Sequence, residues 1–166
     1  GTKMKKAVVL AGTRGIGRAI SNSLKDIDLD VNAYSSKEAD TGNLKDIDKL
    51  VSTHPEVDVL VLNTGGPPAI DFFEIDQNTW LKYHNQLFLG FVHLLQNIKI
   101  KENGYVFLVS SFNIKEPDPK LVLSNCYRIA FVSVFKSLSK ILAKKKISFI
   151  NIAPGPIDTE RLKNLG

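Results

Sequence analysis

The sequence predicts an α/β protein, a doubly wound parallel sheet with helices on both faces. Short apolar runs rich in β-branched residues recur five times, most of them lack polar alternation, and segments of helical period separate them. Strands of that kind are buried on both faces. Strand alternating with helix implies right-handed crossovers and a three-layer α/β/α stack. In such a sheet a ligand sits outside the carboxyl ends of the strands.

The strands are expected at Ala7–Leu10, Val31–Tyr34, Val57–Leu62, Tyr105–Val109 and Ile147–Ile152. Ile16, Ala19, Ile20, Ser23, Leu24 and Ile27 form one helical stripe, and Leu44, Ile47, Leu50 and Val51 another. Two long amphipathic helices are expected from about Gln77 to Ile98 and from about Leu121 to Ala143. Between the second and third strands there is room for one helix, where a doubly wound half normally supplies helix, strand and helix. Either one helix and one strand are missing, or the chain joins across an absent stretch near Ser36–Asp40. The sequence also stops at Gly166, so a closing segment after the last strand is expected to be missing.

The 166 residues suit one domain, over 4–166, because Gly1-Thr2-Lys3 ahead of Met4 reads as a remnant of expression. At 43% hydrophobic and 23% charged the balance is that of a globular chain, which argues against disorder. The single cysteine, Cys126, cannot form an intrachain disulfide and suits a reducing interior; no apolar run reads as a membrane span, so a cytoplasmic location is expected. A net charge of +5 raises nucleic acid as a partner, but Lys144-Lys145-Lys146 is the sole basic triplet and has no interleaved aromatics. It reads as a solvated helix end whose charges complement the dipole, and no nucleic-acid partner is expected.

After the first strand, Leu10-Ala11-Gly12-Thr13-Arg14-Gly15-Ile16-Gly17 opens directly into the first helical stripe. Strand, small-residue turn and helix form the context in which backbone amides at a helix amino end receive a pyrophosphate. An ordinary tight turn is the alternative. The run resembles the Thr-Gly-x-x-x-Gly-x-Gly fingerprint of the short-chain dehydrogenase/reductase family, with Leu10 and Ala11 in place of the leading Thr-Gly. Three further landmarks follow in order. Asn63-Thr64-Gly65-Gly66 is similar to the Asn-Ala-Gly after the family's fourth strand; Val109-Ser110-Ser111 to its serine pair; and Pro154-Gly155-Pro156-Ile157-Asp158-Thr159 to its Pro-Gly-x-x-x-Thr.

This resemblance, strongest to proteins like the 3-oxoacyl-(acyl-carrier-protein) reductases, implies a Rossmann-like fold and hydride transfer between a nicotinamide cofactor and a carbonyl or alcohol on a small-molecule substrate. It implies that Gly12, Thr13, Arg14, Gly15, Ile16 and Gly17 hold the diphosphate, and that Asn63, Thr64 and Gly65 floor the adenosine side. Pro154, Gly155, Ile157 and Thr159 would orient the nicotinamide. Arg14 matches the basic residue common in NADP-preferring members, and Ser35-Ser36 after the second strand lacks the acid that grips an NAD ribose, so NADP is favoured over NAD. Asp40-Thr41 resembles the family's adenine-contacting Asp.

The family's catalysis uses Ser, Tyr and Lys with an upstream Asn, the lysine lowering the tyrosine's pKa. Tyr and Lys stand four apart because that spacing puts both on one helical face. Ser111 matches the serine. Thirteen residues on stands Ser124 where tyrosine is expected, and four further Arg128 where lysine is expected; Leu87 occupies the asparagine position, and Asn85 would need a two-residue shift. An aliphatic hydroxyl is a far weaker acid than a phenol, and arginine cannot shuttle protons. A catalytically degenerate dinucleotide-binding or interaction protein is therefore the alternative to an oxidoreductase.

Tyr127 is expected to pack, since adjacent helix positions diverge by about 100°. Tyr83, His84 and His93 are weak candidates for a replacement acid, His54 is placed in a loop, Cys126 is read as a small core residue, and no metal-ligand cluster is seen. Leu87, Phe88, Leu89, Phe91 and Val92 on one helix, with Ile129, Phe131, Val132 and Phe135 on the other, carry more apolar surface than one sheet face needs. Family members commonly associate through these helices, so a homodimer or homotetramer is expected.

Overall fold

A computed structural model describes residues 4–110 and 118–152. Five parallel strands, β1 (Lys6–Leu10), β2 (Asp30–Tyr34), β3 (Glu56–Leu62), β4 (Lys99–Val109) and β5 (Ser148–Ile152), form one sheet in the order β2-β1-β3-β4-β5. Each expected strand is present to within a residue or so, except that β4 begins six residues early. Its first piece pairs Ile100 with Val57, and the register then jumps so that Tyr105 meets Val59. Polar Lys101, Glu102 and Asn103 fill the irregularity, with Asn103 at φ 67, and hide that piece from an apolar-run reading.

Alternation along the strands divides the core in two. Val8, Leu10, Leu60, Leu62, Val106 and Leu108 face helices α2 (Leu44–Thr53), α4 (Gly90–Asn97) and α5 (Val122–Ile141), meeting Ile47, Leu50, Leu94, Phe131 and Phe135. Ala7, Val9, Val59, Val61, Phe107 and Val109 face the other way, against Ile20 and Leu24 of α1 (Gly15–Asp26). The sheet thus lies between helical layers, and its apolar, non-alternating strands are explained by cover on both faces.

The strand missing from the doubly wound pattern would lie beyond β2, which is the sheet edge. Its loss leaves the central strands untouched. The short path from β2 to α2 is closed by local bonds: Ala39 N–H donates to Ser35 O at 3.0 Å, and Asn43 N–H to Asp40 O at 3.0 Å. Ala39 and Thr41 are buried within it.

The stretch expected as one helix from Gln77 to Ile98 is interrupted. Helix α3 (Gln77–His84) passes into a π-helical turn, Asn85–Leu89, before α4 begins. A π turn frees backbone carbonyls from the helical ladder, and the buried Thr41 hydroxyl donates to one of them, Gln86 O, at 2.8 Å. Gly90 follows because a Cβ there would overlap the Thr41 carbonyl.

The segment Pro119–Ile141 is, by length and composition, apolar enough to cross a membrane, contrary to the sequence expectation that no such run exists. Here it lies against the sheet, seating Phe131 and Phe135 in the core. Four of the residues expected to drive self-association, Leu87, Phe91, Phe131 and Phe135, are likewise buried within the chain's own fold, whereas Ile129 is exposed. Their apolar surplus is smaller than the sequence suggested because Phe91, Phe131 and Phe135 pack in tilted contacts between α4 and α5.

Candidate functional site

A cleft opens at the carboxyl ends of β1, β2 and β3. Its wall is formed by Ala11, Thr13, Arg14, Gly15 and Ile16, by Ser35, Ser36 and Lys37, and by Asn63, Thr64 and Gly65. Nine of these were expected from sequence; Ala11 and Lys37 were not. Gly12 and Gly17 lie beneath the wall, both buried. Gly12 N–H donates to Tyr34 O at 2.9 Å, tying the turn to the end of β2. A Cβ on Gly17 would overlap the Ala11 carbonyl, so α1 can start this close to β1 only with glycine there. Ala11 itself adopts φ 46, a left-handed conformation uncommon for a residue with a side chain.

The amino end of α1 is open. Arg14 occupies the cap position in an extended conformation, no side chain caps the helix, and the first turn holds no acid. The first amides of a helix lack internal partners and carry the positive end of its dipole, which suits an anion. Arg14 and Lys37 in the same wall add two further positive charges.

The floor is held from the π turn. Gln86 Nε2 donates to Thr64 Oγ1 at 3.1 Å and to Gly65 O at 2.9 Å, and Asn63 Nδ2 reaches Ala11 O at 3.4 Å. Sequence reasoning missed Gln86 because its role depends on the π turn. Asp40 is not part of that wall; its Oδ1 accepts from Gly42 N–H at 2.8 Å in the turn leading into α2.

Beyond Gly66, at the carboxyl end of β4, a small recess is lined by Leu87, Phe91, Val109, Ser110, Arg128 and Phe131, among others. Arg128 is only 9% exposed. Its Nε donates to Ser124 Oγ at 2.9 Å across one helical turn. Burial pushes the guanidinium below its ordinary pKa, because desolvation disfavours the charged form.

A model of the family described as "short chain dehydrogenase" matches residues 38–166. The chain belongs to the short chain dehydrogenase family, a family of oxidoreductases. It is 22% identical to the "Uncharacterized oxidoreductase YvaG" of Bacillus subtilis over 97% of this chain and 71% of that protein. That alignment runs over 188 positions, so the relative carries residues this 166-residue chain lacks. Among solved structures, one described as a putative betaketoacyl-ACP reductase is 18% identical with a TM-score of 0.81, over 95% of this chain and 77% of that one. A metagenomic short-chain oxidoreductase in complex with NADP superposes with a TM-score of 0.72 at 18% identity, over 98% and 84% of the respective chains.

In this short chain dehydrogenase, Ser124 and Arg128 share one face of α5, as the four-residue spacing requires, and Leu87 abuts the same recess. Ser111, Pro154, Gly155, Ile157 and Thr159 lie outside the described residues. The other candidate acids do not enter the site. The Tyr127 hydroxyl donates to Trp80 O at 3.0 Å, and burial raises its pKa further from neutrality. Tyr83 is buried with Leu87 and Leu123; His84 packs on Tyr127 and Phe88; His93 meets Asp48 at 2.6 Å on the far side of α4.

One expectation is corrected here. Cys126 is exposed on α5 rather than in the core; its thiol pKa is nonetheless raised, chiefly by partial desolvation, so nothing activates it as a nucleophile. His54 lies, as expected, in the loop between α2 and β3, where it is buried 2.5 Å from the Tyr34 hydroxyl. Among the described residues no group of three or more His, Cys, Asp or Glu side chains could hold a metal ion.

Proposed function

We propose that the protein is an NADP(H)-dependent oxidoreductase acting on the carbonyl or alcohol of a small molecule. The observation that carries this reading is the uncapped amino end of α1 facing a cleft whose wall also holds Arg14 and Lys37. The residues present fit a dinucleotide: amides for the diphosphate, and two cations with the Ser35 and Ser36 hydroxyls for a 2′-phosphate. Solved relatives titled as complexes with NADP or NADPH support the choice of cofactor. NAD fits less well, since no acid in the wall would receive a ribose diol.

The cofactor, when bound, supplies or accepts a hydride. The chain's own residues bind and orient. Ser111 would donate a hydrogen bond to the substrate oxygen, and Arg128, bonded to Ser124, would place a fixed positive charge beside the substrate without exchanging a proton. The loop 154–159, with Pro154, Gly155, Ile157 and Thr159, would orient the nicotinamide end. Titration of the protein with NADPH and NADH by fluorescence tests the reading. Tight NADPH binding with weaker NADH binding is expected, and binding of neither overturns it.

Leu87, Ser124 and Arg128 at the reactive positions favour a second reading, a dinucleotide-binding protein without turnover. A panel of aldehydes and ketones separates the two: cofactor oxidation no faster than background supports the second. We further propose one domain over 4–166, a cytoplasmic location suited to its lone thiol, and association as a homodimer or homotetramer through the α4 and α5 faces that leave Ile129 exposed. Light scattering at micromolar concentration showing a monomer would contradict the last.

A further inference from the structure

Arg128 raises a question that the nucleotide cleft does not answer. A buried guanidinium is costly unless an anion accompanies it. Among the described residues its one hydrogen bond goes to a neutral hydroxyl, Ser124 Oγ, through Nε. Among the described residues the ion pairs are His93 with Asp48 and Lys101 with Glu56, and no carboxylate is paired with Arg128. The hydroxyl fixes the group's orientation without neutralising it. The two terminal nitrogens remain, and they form the fork that receives a carboxylate with two parallel bonds.

The surroundings place that fork at a ligand site rather than in the interior. Arg128 lines the recess with Ser110, at the carboxyl end of β4, and one terminal nitrogen lies 4.0 Å from where a Cβ on Gly66 would stand. Gly66 directly follows Asn63, Thr64 and Gly65, the floor of the cleft. The cation therefore sits where the cleft meets the recess, with apolar Leu87 and Phe131 beside it.

We propose that Arg128, oriented by Ser124, binds a carboxylate on the substrate, so that the substrates are carbonyl or hydroxy compounds that carry an acid group. The inference rests on the oxidoreductase reading above and deepens it. The positions that would hold a tyrosine and a lysine thereby form a recognition pair. Leu87 removes a competing polar contact from the same recess, which leaves the charge as its main selector. An anionic substrate also supplies a counter-charge that no described residue provides.

The test uses the full chain and a series of keto acids from pyruvate to 5-oxohexanoate, each compared with its own methyl ester. NADPH oxidation gives kcat/KM, and calorimetry on the NADP-bound protein and on the protein alone gives binding without turnover. At least one acid is expected to exceed its ester by about tenfold or more, a difference that about 1.4 kcal/mol supplies. Arg128→Gln is expected to bring that ratio to near one, and Arg128→Lys to keep part of it. Equal binding of acid and ester across the series overturns the proposal, even if Arg128→Gln fails to fold. So does an Arg128→Gln variant that binds NADPH about tenfold more weakly but keeps the acid-to-ester ratio, because the cation then serves the cofactor. If wild-type protein binds no NADPH, the oxidoreductase reading fails instead, and acid binding to the protein alone still decides whether the carboxylate site exists.

Discussion

The two halves of the cleft have diverged to different degrees. Around α1 the strand, turn and helix keep the family's backbone logic: Gly17 against the Ala11 carbonyl, Gly12 bonded to Tyr34, and an open helix end. Around α5 the helix is equally regular, and on the proposed reading Leu87, Ser124 and Arg128 stand where the family's proton-moving side chains are expected. Backbone amides recognise a diphosphate through geometry alone, so that half has little room to drift. Side-chain chemistry can change without disturbing the helix that carries it.

The contrast breaks most sharply at Gly17. Gly17→Val drives a side chain into the Ala11 carbonyl and is expected to weaken NADPH binding by about 100-fold or more, the equivalent of some 3 kcal/mol. Fluorescence titration reads the loss, and a thermal melt shows how much of it is global. On the opposite half, Ser124→Tyr combined with Arg128→Lys should raise turnover of neutral ketones by about 100-fold, the lower end of what a positioned general acid contributes. No rise would show that the proton path needs more than those two side chains.

A smaller effect is expected from Arg14→Glu, about 10-fold on NADPH with little change for NADH, since it alters one of two cations in the wall. Equal weakening of both nucleotides would remove Arg14 from 2′-phosphate recognition. The smallest is a pH effect at the end of β2. Desolvation, and next the Lys6 charge, depress the folded-state pKa of His54, while Asp30 opposes them. The unfolded state then binds more protons just below about pH 6.5, so the stabilisation is complete above that pH and is lost as acid reaches the folded value. Melting temperature should fall over that window in the wild type and fall less in His54→Phe.

Much of the scaffold was legible because burial on both faces leaves a simple trace, as in Val57–Leu62. The glycine turn was legible because its spacing is dictated by contact between backbones. The early start of β4 was not, since polar residues fill its bulge. Nor was the π turn, because one added residue in a helical turn leaves no periodic mark over five positions; the work of Gln86 and Thr41 was hidden with it. Cys126 misled because its apolar neighbours in sequence occupy other faces of α5.

The bare edge beyond β2 bears on how firmly a nucleotide would be held. Among the described residues no strand or helix lies beyond β2 beside Ser35, Ser36 and Lys37, so an adenine there would rest on a turn instead of in a slot. Attraction to phosphate would then supply a larger share of the affinity, and the complex would loosen markedly as ionic strength rises.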